Sequence, residues 1–206
     1  ARGGPWDLVL LLDGDPTTLR RNRTRTLEFL ESCRSHMTED GILVLRVGVP
    51  DTYLGGAGGR LLAILAATLG RVFEQVAVIP GPEVLLVAGG PAAALSLDPE
   101  VLSGRLAARG MEQVELIPEM IPLLVDPARA RDLAELLDPG APPNTVRHPR
   151  AVLPAGGLHE GRSRTRLVDL VQAAEAAGAA APAVGLAVAV GALLVLALRR
   201  GTRASA

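Results

Sequence analysis

The sequence predicts an α/β fold: half of a mostly parallel sheet with a C-terminal hairpin, a small helical appendix and one C-terminal transmembrane helix. Three observations predict it. Strand, helix, strand, helix and then two strand-like runs around Pro80-Gly81-Pro82 is the alternation that builds a mostly parallel sheet. The runs Leu8 to Leu12 and Ile42 to Val47 are continuously apolar, the pattern of strands buried on both faces. Ala177 to Leu198 carries no charge across 22 residues, about 33 Å as a helix at roughly 1.5 Å per residue, against a hydrocarbon core of about 30 Å.

Composition bounds the reading. A chain of 206 residues holds one ordinary domain with something appended. Its net charge of -1 gives no indication of a nucleic-acid partner. All 21 basic residues are Arg, and aromatics make up 2%, so Leu, Val and Ala fill the core. Cys33 sits in a predicted helix near Leu30 and Met37, where a small buried hydrophobe is a better reading than a nucleophile. A lone cysteine allows no disulfide framework. The first residue is Ala and a core strand begins almost at once, so a fragment of a longer protein is expected.

The elements follow in order. Trp6 to Leu12 is the opening strand and ends in Asp13-Gly14-Asp15-Pro16. Thr17 or Thr18 caps a helix with Leu27, Leu30, Cys33 or Arg34, and Met37 at approximate helical spacing, closed by Asp40-Gly41. Ile42 to Val47 is the second strand, with Val49-Pro50-Asp51 as the loop at its carboxyl end. A helix from about Arg60 to Phe73 places Leu61, Leu65, Leu69 and Val72 on one side. Gln75 to Ile79 and Glu83 to Ala88 form the hairpin, because so short a turn joins antiparallel neighbours. Asp98-Pro99 and Asp126-Pro127 each open a further helix, with Pro at the first helical position; Val114 to Val125 between them is an apolar segment of the appendix.

The domain organisation expected is an α/β domain with its appendix over 1–137, a Pro/Gly/Arg-rich linker over 138–162, a juxtamembrane helix over 163–176, the transmembrane helix over 177–198 and a basic tail over 199–206. The competing reading of 177–198 is an Ala-rich helix or a disordered Ala-Pro tail; the Leu and Val content of Leu186 to Leu198 and the abrupt Arg199-Arg200 favour the membrane. Arginines flank both ends, so charge counting does not settle orientation.

Asp13 and Asp15 are the first candidates for chemistry, since ligands of open α/β sheets bind at the carboxyl ends of the strands. The competing reading is a plain Asp-Gly-Asp-Pro turn. Gly55-Gly56-Ala57-Gly58-Gly59 follows the second strand and reads as a flexible loop rather than a nucleotide-binding motif. His148 and His159 lack metal-ligand spacing, and His36 reads as a solvated or capping residue; no metal is expected. Arg20, Arg21, Arg23 and Arg25 read as a solvated basic face, with anionic lipid or a cofactor carboxylate as the alternative.

At Asp15-Pro16-Thr17-Thr18, Asn22-Arg23 and Thr26-Leu27-Glu28-Phe29 the chain resembles the membrane-fused branch of the spermidine synthase (polyamine aminopropyltransferase) family. Further matches are Pro50, Tyr53-Leu54, Arg60-Leu61-Leu62, Pro80-Gly81, Leu97-Asp98-Pro99 and Asn144-Thr145, in order over roughly residues 6 to 152. The resemblance implies the C-terminal part of a Rossmann-like, class I methyltransferase-type domain. It implies aminopropyl transfer from decarboxylated S-adenosylmethionine, as co-substrate rather than prosthetic group, to a polyamine such as putrescine. An amine with a pKa near 10 must lose a proton before it attacks, and carboxylates both hold the cation and accept that proton.

By resemblance Asp15 binds the substrate amine, Tyr53 belongs to the substrate site, and Asp13 stands nearest to the family's base. That base itself falls on Leu12, the aromatic of the Asn22 segment falls on Arg25, and the acid after Asn144-Thr145 is replaced by Val146. The Gly-rich cofactor loop and the ribose-binding acid belong to the earlier half of this fold, so cofactor-binding residues are not assignable. The function implied is a membrane-anchored, spermidine-synthase-like protein with its α/β domain on the cytoplasmic side, compatible with a homo-oligomer. The alternatives are a catalytically degenerate, membrane-tethered binding or scaffold domain, and an S-adenosylmethionine-dependent methyltransferase.

Overall fold

A computed structural model of the chain describes residues 5–52, 54–109, 120–138 and 140–159. The chain divides into two units, Ala1–Leu158 and His159–Ala206. All that follows concerns the first.

Strand β1, Trp6–Leu11, leads into a broken helical segment, α1 over Leu19–Asn22, a 3-10 turn over Arg23–Arg25 and α2 over Leu27–Ser35. Strand β2, Met37–Val47, is followed by helix α3, Ala57–Leu69, and by the hairpin of β3, Gln75–Ile79, and β4, Val84–Gly89. The remaining elements are α4, Pro99–Ala108, α5, Ile121–Leu124, α6, Pro127–Glu135, and α7, Val152–His159.

The sheet order is β1-β2-β4-β3. β1 pairs in parallel with β2, while β4 is antiparallel to both β2 and β3. Thus β1, β2 and β3 run one way and β4 returns between two of them. This mixed four-strand sheet gathers the carboxyl ends of β1 and β2 at one rim.

Helix α3 covers one face of the sheet with Leu61, Leu62, Leu65 and Leu69, each at most 1% exposed. They meet the inward residues of the central strands, Leu43, Leu45 and Val47 of β2 and Val84 and Leu86 of β4. The chain reaches α3 through Gly56 at a φ of 60°, a left-handed conformation that costs glycine nothing. Burying this face supplies most of the folding free energy, because removal of apolar area from water dominates the favourable side.

Four expectations are corrected. First, β1 is not buried on both faces. Val9 and Leu11 pack on the core, but Leu8 and Leu10 are more than half exposed: alternate side chains of a strand point to opposite faces, and the face of β1 that carries Leu8 and Leu10 is left open among the described residues. Second, the single helix through Met37 is broken at the turn and at Thr26, and Met37 already belongs to β2. The helix ends at His36, whose carbonyl accepts from Trp6 N–H at 2.8 Å, and the register then shifts between Trp6 and Leu8. Third, part of the stretch expected as a linker, 138–162, folds back: α7 lies within it, and Asn144, Ala151 and Ala155 are fully buried.

Fourth, the fold class loses its transmembrane helix, and the membrane location is corrected with it. Among the described residues no helix is long and apolar enough to cross a membrane. The longest, α3 with 13 residues, spans about 20 Å against the roughly 30 Å required. The segments expected as juxtamembrane helix, 163–176, transmembrane helix, 177–198, and basic tail, 199–206, lie outside the described residues.

Candidate functional site at the strand ends

The rim where β1 and β2 end is built by two acids and a buried cation. Past Leu11 the chain turns through Asp13 and Asp15, and the Asp15 carbonyl accepts from Thr17 N–H at 2.7 Å. The next residue, Thr18, is the N-cap of α1 and accepts from Arg21 N–H at 3.3 Å, as a threonine before a helix is able to do.

Asp15 is buried. Its Oδ1 accepts from the Gly48 amide, just past the end of β2, at 2.8 Å. Only glycine admits this contact, since a Cβ at position 48 would fall on the Asp15 carboxylate. The acid therefore latches the ends of two parallel strands together.

Asp13 is half exposed, yet both its oxygens are engaged. Arg25 Nη2 lies 2.7 Å from Oδ1, and the Thr24 hydroxyl donates to Oδ2 at 3.2 Å. Arg25 comes from the 3-10 turn and is fully buried. It also donates to the carbonyls of Asp13 at 2.9 Å and Leu11 at 3.4 Å and to the Thr24 hydroxyl at 3.1 Å. Arg25 is therefore no part of a solvated basic face: it plugs the rim from inside, while Arg20, Arg21 and Arg23 remain exposed. Burying a guanidinium is tolerable only when it is paired and hydrogen-bonded; here Nη1 and Nη2 are, while Nε is buried without a partner.

Below it lies a polar knot that the sequence reading missed. Asn144, fully buried, donates through Nδ2 to Asn22 Oδ1 at 2.9 Å and to the Arg25 carbonyl at 2.8 Å. Its Oδ1 accepts from Ala151 N–H at 3.2 Å, and its own N–H donates to Thr68 Oγ1 at 2.9 Å. The Asn144 carbonyl accepts from Leu27 N–H, starting α2. Resemblance singled out Asn144 and Asn22; what each touches was not readable, because the partners come from four separate elements.

The remaining candidates fall elsewhere. Leu12 is half exposed. Val146 is exposed, and its N–H donates to the Glu28 carboxylate at 3.0 and 3.2 Å, so an acid from α2 stands beside the position where the family pattern has one. Tyr53 lies outside the described residues. His36 ends α2, with its Nδ1 within 2.8 Å of the Ser32 carbonyl and its ring stacked on Trp6 at 5.6 Å. Burial pushes the Cys33 thiol up, so the thiolate that would react is disfavoured. Among the described residues no cluster of three or more metal-ligating side chains forms.

No protein-family profile and no curated protein matches the chain. Among solved structures the chain is similar to a probable spermidine synthase from Corynebacterium glutamicum ATCC 13032, with 20% identity, a TM-score of 0.41 and 70% of this chain covered. The chain spans about half the length of that protein, 49%.

Proposed function

We propose that the domain is a spermidine-synthase-like α/β module whose strand-end acids hold the rim together rather than transfer an aminopropyl group, so that it serves as a binding or scaffold domain. One observation carries the reading: the carboxylate of Asp13 is already occupied by the buried guanidinium of Arg25 at 2.7 Å. A diamine needs unneutralised negative charge to hold its ammonium groups and a free carboxylate oxygen to take its proton. At this rim the charge is met from within, and a second cation brought against Arg25 meets repulsion that low local dielectric strengthens. Asp15, the other acid, gives Oδ1 to the Gly48 amide.

The second reading is aminopropyl transfer to a polyamine. It is favoured by the position of Asp13 and Asp15, both at the carboxyl end of a strand that pairs in parallel with its neighbour, where open α/β sheets bind ligands. An assay with putrescine and decarboxylated S-adenosylmethionine separates the two. No transfer above the uncatalysed background is expected from the chain, from Asp15→Asn or from Arg25→Phe. Transfer by the wild-type chain that Asp13→Asn or Asp15→Asn abolishes would overturn the scaffold reading and install the transferase one.

A further inference from the structure

β1 is an outer strand of the sheet, and on the side away from β2 its backbone has no strand to pair with among the described residues. Such an edge is a template for another strand, and natural proteins blunt it with charges, Pro or bulges. Leu8 to Leu11 carries none of these: the run is wholly apolar, and the register shift of β1 lies before it, between Trp6 and Leu8. Trp6, Leu8 and Leu10 alternate along one face of the strand, Leu12 follows just past its end, and all four are exposed.

The two ends of this strand carry opposite charge. At its start Asp7, Glu39 and Asp40 are exposed, and the arginine beside them is Arg34, which donates to the Thr38 carbonyl at 2.9 Å. Asp7 accepts from the Thr38 hydroxyl at 3.2 Å, while Glu39 and Asp40 have no ion pair among the described residues. At its end Arg20, Arg21 and Arg23 are exposed, again without an ion pair among the described residues. The acids there, Asp13 and Asp15, are already held by buried Arg25 and by the Gly48 amide. The start therefore has an excess of acid and the end an excess of arginine.

We infer that β1 pairs with β1 of a second copy of this chain, antiparallel and about a two-fold axis, so that two four-strand sheets join into one. Residues opposite each other in antiparallel strands share a face, which allows a register with Val9 opposite itself, Leu8 opposite Leu10 and Trp6 opposite Leu12. Every exposed apolar side chain of the strand then meets an apolar partner, and the acidic start of each strand lies against the basic end of the other. Each contact occurs twice, as a two-fold interface requires. A parallel second copy would set acid against acid. Complementarity to itself, in the apolar centre and in the end charges, selects a second copy over an unrelated strand. The pairing depends on neither reading of Asp13 and Asp15.

Sedimentation velocity on the full chain tests it. The interface is small, so a dimer at about 100 μM that dissociates on dilution is expected. Leu8→Lys combined with Leu10→Lys, at positions more than half exposed and so compatible with folding, is expected to leave a monomer at that concentration. Glu39→Arg with Asp40→Arg reverses one end, and Arg20→Glu with Arg23→Glu reverses the other. Each is expected to weaken self-association by about tenfold, since like charges then meet across the interface. Mixing the two is expected to restore the dimer, because each reversed end then finds its complement. A monomeric wild type, association unchanged in the Leu8 and Leu10 variant or in either charge variant, or a mixture that associates no better than its components overturns the inference.

Discussion

Asn144 shows what a single buried amide does in this chain. Its two donors and one acceptor all find partners, and those partners belong to α1, the 3-10 turn and the start of α7. Removing the side chain leaves Asn22 Oδ1, the Arg25 carbonyl and the Ala151 N–H without partners in a place water does not reach. Asn144→Ala is therefore expected to cost about 2–4 kcal/mol, the range for orphaning several buried polar groups. Asn144→Asp is expected to cost more at neutral pH, because it sets a carboxylate against two acceptors that need donors. Urea unfolding followed by far-ultraviolet circular dichroism measures both, and a loss under about 1 kcal/mol in either variant would show that the knot is not what joins these elements. None of this was legible in the sequence beyond the resemblance at Asn22-Arg23 and Asn144-Thr145. A hydrogen bond spanning 122 residues leaves no local pattern, and the pairing of Arg25 with Asp13 depends on a helix break that apolar spacing does not announce.

At the scale of elements, what was legible was local chemistry. Asp98 and Asp126 cap α4 and α6 through their own side chains, Asp98 by accepting from Glu100 N–H at 2.9 Å and Asp126 from Ala128 N–H at 3.0 Å; an Asp-Pro pair encodes such a start within four residues. The antiparallel hairpin of β3 and β4 was legible for the same reason. The exposure of β1 was not, because a continuous apolar run says that a strand can be buried, not which neighbours exist to bury it. What joins the ends of β1 and β2 is the latch of Asp15 on Gly48, and it gives the next prediction. Gly48→Ala places a methyl group on the Asp15 carboxylate, so the acid must leave its donor or the strands must part. A loss of about 1–3 kcal/mol is expected, the range for stranding a buried polar group or overpacking a tight contact. Asp15→Asn, which keeps an acceptor for the Gly48 amide, is expected to lose less. If Gly48→Ala unfolds at the wild-type urea midpoint, the latch contributes nothing to the pairing of these strands.

Over the whole first unit, stability is graded from the sheet centre outward. β2 and β4 are flanked by strands on both sides and covered by α3, while β1 is an edge and α4 contains no buried residue. Free energies of local opening follow burial, so the grading belongs in hydrogen exchange. The amides of 43–47, 61–69 and 84–88 are expected to exchange last and together, through opening close to global unfolding. Those of α4 are expected to exchange many times faster, since little apolar area is lost when that helix frays. Within β1 the amides directed at β2 should outlast the outward ones, which have no strand to donate to among the described residues. The same gradient explains why the rim is locked by so many polar contacts: Arg25, Asp13, Asp15 and Gly48 fasten the edge strand at its carboxyl end, where hydrophobic cover on its other face is missing. Exchange measured on the intact chain decides the point. Protection in α4 equal to that in α3, or β1 amides that exchange as slowly as those of β4, would show that the free energy of this fold is not centred on β2, β4 and α3.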